Sequence, residues 1–117
     1  MKNRIDKPWG YEETLESNSE YLFKKLFMKK DHKCSLQYHN HKTETIFVLS
    51  GILKILVSNP KTQEFNPVST TLIPGQYLTI EKGLIHRMVA EQDCTYLEAS
   101  SPFPEDVIRV KDDYGRE

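Results

Sequence analysis

The 117 residues carry 38% hydrophobic and 28% charged side chains, with Trp9, six Tyr and five Phe, a composition in the globular range that excludes a disordered chain. A chain of this size buries roughly two-thirds of its unfolded surface around one core, so residues 1–117 are read as a single domain. Sixteen Lys and Arg stand against seventeen Asp and Glu, a formal net charge of -1, and the basic residues are scattered, which argues against nucleic acid or an anionic membrane as partner.

The charged start, Met1-Lys2-Asn3-Arg4-Ile5-Asp6-Lys7-Pro8, leads into no apolar stretch of the kind a secretory signal requires, so a cytoplasmic location is expected. Short two-period or continuously apolar runs follow at residues 9–15, 22–28, 34–39, 44–50, 51–58, 69–73, 77–80, 86–90 and 95–99, with a weaker run at 106–110. No apolar stripe at helical spacing extends beyond about two turns, and no run approaches the ~20 residues of a membrane span. Cys34 and Cys94 each fall inside a strand-like stretch and are read as small buried hydrophobes with reduced thiols. Ser50-Gly51 and Asn59-Pro60 sit where tight reversals are needed and predict two hairpins, while Pro74-Gly75 and Lys82-Gly83 bracket the next strand. About ten short strands without intervening helices make an all-β sandwich or small barrel the expected architecture. The polar segment 111–117 is expected to fray.

Three of the four histidines lie in Gln37-Tyr38-His39-Asn40-His41-Lys42-Thr43-Glu44 and in Glu81-Lys82-Gly83-Leu84-Ile85-His86. On an extended strand, residues two apart share a face, so Gln37, His39 and His41 are expected to point one way, Leu36 and Tyr38 the other. Glu44 and His86 bring further oxygen and nitrogen donors of the type that hold one divalent transition ion, Zn, Mn, Fe, Ni or Co. Parity and spacing leave two ligand sets open: His39, His41, Glu44 and His86, or Gln37, His39, Glu44 and His86, the second leaving His41 free beside the ion.

His39-x-His41-x-x-Glu44 with Gly51 beyond it resembles the first motif of the cupin superfamily, and Gly75 followed by Glu81-x-Gly83-x-x-His86 resembles the second. Lys7-Pro8-Trp9-Gly10, the run from Ser35 to Glu44 and the run from Val107 to Arg116 resemble, in order and across nearly the whole chain, the C-terminal isomerase domain of type II mannose-6-phosphate isomerases. The chain departs from that pattern at Lys42, where the family usually carries arginine, at Glu81, where it usually carries proline, and at Ala90, where the general cupin pattern has asparagine. Lys42 keeps the charge but lacks the fork that grips phosphate. The nucleotidyltransferase domain that commonly precedes this module has no counterpart among the 117 residues.

The resemblance implies a jelly-roll-like, double-sheet antiparallel β-barrel and a metal-dependent aldose–ketose isomerase acting on a sugar phosphate such as mannose 6-phosphate. It implies catalytic roles for His41 and Glu44, with Lys42, Lys54, Arg87 and Arg109 as candidates for a phosphate subsite. Trp9 is read as a packing anchor, Tyr77, Tyr96 and Glu98 as candidates for the barrel lumen, and Met88 as an apolar wall. Exposed sheet edges predict a homodimer. The competing readings are an isomerase or epimerase on another modified or nucleotide-linked sugar in polysaccharide synthesis, a non-catalytic sugar-binding cupin, and a metal-dependent dioxygenase.

Overall fold

The computed structural model describes residues 3–58, 67–103 and 105–111, and every regular element among them is a strand. In chain order these are β1 (Asn3–Lys7), β2 (Gly10–Ser17), β3 (Leu22–Met28), β4 (Leu36–Tyr38), β5 (Glu44–Ser50), β6 (Leu53–Ser58), β7 (Val68–Leu72), β8 (Tyr77–Ile80), β9 (Ile85–Ala90), β10 (Cys94–Ser100) and β11 (Ile108–Lys111). One sheet has the order β1-β2-β3-β10-β5-β8 and the other β11-β4-β9-β6-β7. All their pairings are antiparallel, as expected for a two-sheet barrel whose inner faces meet. Among the described residues no helix is long and apolar enough to cross a membrane.

Alternation decides which side chains enter the barrel. Along β3, Leu22, Lys24, Leu26 and Met28 are buried while Phe23, Lys25 and Phe27 are half-buried. β10 repeats the pattern with Cys94, Tyr96, Glu98 and Ser100, and β5 with Glu44, Ile46 and Val48. Registers of Cys94 with Met28, Tyr96 with Leu26 and Val48, and Glu98 with Lys24 grade the interior from one end to the other. One end is the core proper, built on Met28, Val48, Ile55, Met88, Ala90 and Cys94. The other collects Lys24, Glu44, His86 and Glu98, all buried. A polar end inside a barrel is costly unless its groups pair with one another or with a ligand, so the gradient already locates the site.

Three expectations need correction. The charged N-terminus forms β1, whose residues are exposed except for half-buried Lys7, so no burial period marks it as a strand. Ser50-Gly51 does not close a hairpin, because β5 pairs with β8 and β10 while β6 pairs with β7 and β9; the chain passes there from one sheet to the other. Gly51 makes this crossing at φ +81°, pressed so closely on the next segment that a Cβ would lie 2.0 Å from the Asp93 carbonyl oxygen. The stretch 34–39 is a strand only over Leu36–Tyr38, so the two-residue parity drawn through His39 to His41 does not hold. β6 and β7 do pair as antiparallel neighbours, while Asn59-Pro60 and the tail 112–117 lie outside the described residues. Cys34 and Cys94 are buried free thiols, each pushed up to about 11 by burial.

Candidate metal centre

Glu44 opens β5, His86 is the second residue of β9, and His39 lies one residue past β4. The three side chains are 0–1% exposed, and a donor atom from each lies within 4.8 Å of the others. Glu44 Oε1 is 2.9 Å from His86 Nε2 and 3.3 Å from His39 Nε2. The other ring nitrogens face backbone carbonyls: His86 Nδ1 is 2.9 Å from the Leu84 oxygen, and His39 Nδ1 contacts the Asp106 oxygen. A carbonyl only accepts, so each Nδ1 must carry the hydrogen, and Nε2 is the nitrogen turned to Glu44. His86 Nε2 and Glu44 Oε2 are buried without a hydrogen bond. Two imidazole nitrogens and a carboxylate thus converge with their lone pairs on one buried point, each imidazole fixed from behind by a carbonyl. This donor set fits a divalent transition ion, and Zn, Mn, Fe, Ni and Co all accept imidazole and carboxylate donors of this kind.

Loop contacts explain how the site is held. The Gly83 N–H, at φ +84°, donates to the His39 carbonyl at 2.7 Å, joining the turn before β9 to the residue after β4. The Asp106 carboxylate accepts from the N–H groups of Asn40, His41 and Lys42 at 3.1, 2.7 and 3.0 Å. Burial would raise the Asp106 carboxyl, but these three bonds together hold it below its usual range. They also bend the chain immediately after His39, which is why His41 does not follow it inward.

The electrostatics divide two neighbouring carboxyls. Burial would raise the Glu44 carboxyl, but His39, His86 and the adjacent Glu98 bring it well below the usual range. Burial, and then the negative charge of Glu44, push Glu98 well above it. Of the two, Glu44 is the stronger acid and Glu98 the stronger base. Lys42 Nζ lies 3.8 Å from Glu44 Oε2, and both side chains are almost wholly buried.

A cavity of about 280 Å³ opens at this polar end, with Gln37, Lys42, Tyr96, Glu98 and Arg109 in its wall. Gln37 stands opposite His86 in the β4–β9 register and accepts a 2.6 Å hydrogen bond from Ser35 Oγ. Trp9 and Met88 line the cavity while also belonging to the core. The structure does not bring His41 to the cluster: its side chain is exposed and its ring lies 5.9 Å from that of Phe103. Arg87 alternates with His86 and Met88 along β9 and is not in the cavity wall. Lys54 pairs with Glu91 at 3.6 Å, and Tyr77 is 67% exposed, so neither serves the lumen. Lys7, Glu12 and Lys24 do line the cavity although their motifs gave no notice of it. For Lys24 the signal was present: it shares its strand parity with Leu22, Leu26 and Met28, an apolar face on which a lysine is out of place.

The fold recurs in solved structures. The capsular polysaccharide assembling protein CapF from Staphylococcus aureus superposes with a TM-score of 0.82 at 13% identity, over 95% of this chain and 32% of that one. Oxalate decarboxylase from Bacillus subtilis gives 0.80 at 14% identity, over 93% of this chain and 30% of that one. Both likenesses are of fold, that of the cupins. Among curated relatives, mannose-1-phosphate guanylyltransferase 2 of Escherichia coli O157:H7 is 29% identical over 116 residues, 97% of this chain and 23% of the relative. The xanthan biosynthesis protein XanB of Xanthomonas campestris is 24% identical over 123 aligned residues, 97% of this chain and 24% of the relative. The chain thus spans about a quarter of the length of these relatives. With residues 1–112 matching the family described as mannose-6-phosphate isomerase C-terminal, and with the cupin barrel and its buried His39, Glu44 and His86 in place, the chain belongs to that family.

Proposed function

We propose that this chain is a metal-dependent isomerase of sugar phosphates, interconverting an aldose and a ketose of the mannose 6-phosphate and fructose 6-phosphate type. The observation that carries the reading is the convergence of buried His39, Glu44 and His86 donors beside Lys42 and Glu98, two residues that line the cavity. In this proposal His39, Glu44 and His86 hold the ion, and Gln37 is the cavity residue positioned to add a fourth ligand. The ion, when bound, supplies Lewis-acid polarisation of a substrate oxygen.

Isomerisation moves a proton between adjacent carbons, and the group that moves it must hold a proton without leaving the pocket. In its ionised form Glu98, whose buried position makes its carboxylate a stronger base than a free one, takes the proton from the carbon next to the carbonyl and returns it to the adjacent carbon, a part the sequence offered to His41 or an acidic residue. Lys42 offsets the negative charge on Glu44, and Trp9, Tyr96 and Met88 keep bulk water from the proton's path. A sugar or sugar phosphate is the small-molecule partner in this reading, and the cytoplasm is where such a substrate would be met.

Incubation of the metal-loaded chain with mannose 6-phosphate in heavy water tests the proposal. Deuterium is expected at the carbon next to the carbonyl together with conversion to the ketose. The same experiment separates the competing readings. Exchange on a nucleotide-linked sugar alone identifies a different isomerase or epimerase, the reading closest to the polysaccharide role named for CapF. Binding without any exchange leaves a sugar-binding module.

The homodimer belongs to the same proposal. Phe47, Leu49 and Tyr77 are 37%, 45% and 67% exposed, and Phe47 and Tyr77 face each other in the β5–β8 register on the outside of the six-stranded sheet. Contiguous exposed aromatics of this kind fit a self-complementary interface. Light scattering is expected to give twice the chain mass at micromolar concentration, and Phe47→Asp is expected to return the monomer; a wild-type monomer would end the dimer proposal.

A further inference from the structure

The wall of the cavity carries a second polar cluster, away from the metal donors. Lys24 Nζ and Lys7 Nζ lie 3.3 and 4.0 Å from the same oxygen, Glu12 Oε1. Their side chains are only 11% and 22% exposed, that of Glu12 14%. Two ammonium groups therefore share one carboxylate, which leaves one positive charge turned to a partly enclosed cavity. Lys42, by contrast, is drawn to Glu44, so the position that matches the family's arginine is already engaged on the metal side.

The sheet supplies the distance between the two clusters. Glu44 lies on β5, Glu98 on the adjoining β10, Lys24 on β3, Glu12 on β2 and Lys7 on β1, all in one sheet and in that spatial order. Adjacent strands are about 4.8 Å apart, so the strand of Lys24 stands about 10 Å from that of Glu44. In a hexose 6-phosphate six bonds separate C2 from phosphorus, a span of about 8 Å when the chain is extended. A sugar with its carbonyl end at His39, Glu44 and His86 would bring a terminal phosphate to Lys24.

We propose that Lys24 and Lys7, bridged by Glu12, form the subsite for the terminal phosphomonoester of the substrate. This inference rests on the sugar-phosphate reading and deepens it by fixing which end of the substrate faces which strand. Arg109, exposed on β11 and also in the cavity wall, is the residue on the opposite sheet that can close on the same group. Lys42 and Arg87 take no part in it.

Calorimetric titration of the metal-loaded chain with mannose 6-phosphate, and separately with mannose, tests the subsite. Lys24→Met and Lys7→Gln are each expected to weaken binding of the phosphorylated sugar about tenfold, the loss of one charge-assisted contact. Mannose binding and bound metal should stay at wild-type levels, and Lys24→Arg should recover most of the lost affinity. Wild-type affinity for mannose 6-phosphate in both neutral variants would overturn the assignment. So would equal weakening for both sugars, or a wild-type chain that prefers neither. Tight, Lys24-dependent binding without deuterium exchange would keep the subsite while removing the isomerase reading; exchange that is indifferent to both lysines would do the reverse.

Discussion

Alanine at His39, Glu44 or His86 is expected to cost the chain its metal, with affinity falling at least ~100-fold, whereas His41→Ala keeps wild-type occupancy. The expectation follows from the donor geometry: three buried atoms within 4.8 Å of one another, and a fourth candidate whose ring lies outside against Phe103. Changing a residue that only supports a ligand typically costs 10–100-fold, so removing a ligand outright should exceed that. Metal content after dialysis and competition with a chromophoric chelator supply the measurement. Gln37→Ala is the informative fourth variant, because an intermediate loss there assigns the remaining ligand to β4. Metal loss in His41→Ala equal to that in His39→Ala would falsify this arrangement.

The second large effect concerns stability. Gly51→Ala should lower the unfolding free energy by about 3–4 kcal/mol, through left-handed backbone strain and a forced displacement of the chain. Gly51 sits at φ +81°, and a Cβ there would lie 2.0 Å from the Asp93 carbonyl oxygen and 2.8 Å from Cys94 Cα, both backbone atoms that cannot swing aside. For a domain of this size such a loss corresponds to a fall in Tm of roughly 10–20 °C, readable by calorimetry. Gly75→Ala is the control: it shares the left-handed φ, but no heavy atom lies within 4 Å of its added Cβ, so only the smaller backbone strain remains. Equal shifts in the two variants would show that crowding at Asp93 plays no part.

Much of this was legible in the residues themselves. The two-period or continuously apolar runs marked ten of the eleven strands, most clearly those such as β3, β5 and β10 in which one face meets the core and the other does not, and only weakly β11, which is exposed on both faces. β1 escaped since a strand exposed on both faces leaves no period to read. His39, Glu44 and His86 were legible from their spacing around glycine turns. His41 was misplaced because parity holds only while a strand lasts, and β4 stops at Tyr38; the bend beyond it is made by Asp106, more than sixty residues away in sequence. Gly51 was legible as a turn residue but misread as closing a hairpin, because its neighbours carry no mark of which sheet the next strand joins. The cluster of Lys7, Glu12 and Lys24 is a product of register across three strands, which no local pattern contains.

The double grip of Asp106 also bears on how the protein comes into being. Its carbonyl fixes the His39 ring and its carboxylate gathers the three N–H groups after it, across 64 to 67 positions of chain. Contacts so far apart in sequence are slow to close. Until the segment carrying Asp106 has docked, His39 is free to present either ring nitrogen, and the residues behind it have no bend to follow. A barrel whose strands had paired while the Asp106 segment stayed undocked would therefore lack a finished binding centre, so that closing these contacts and completing the site are one event.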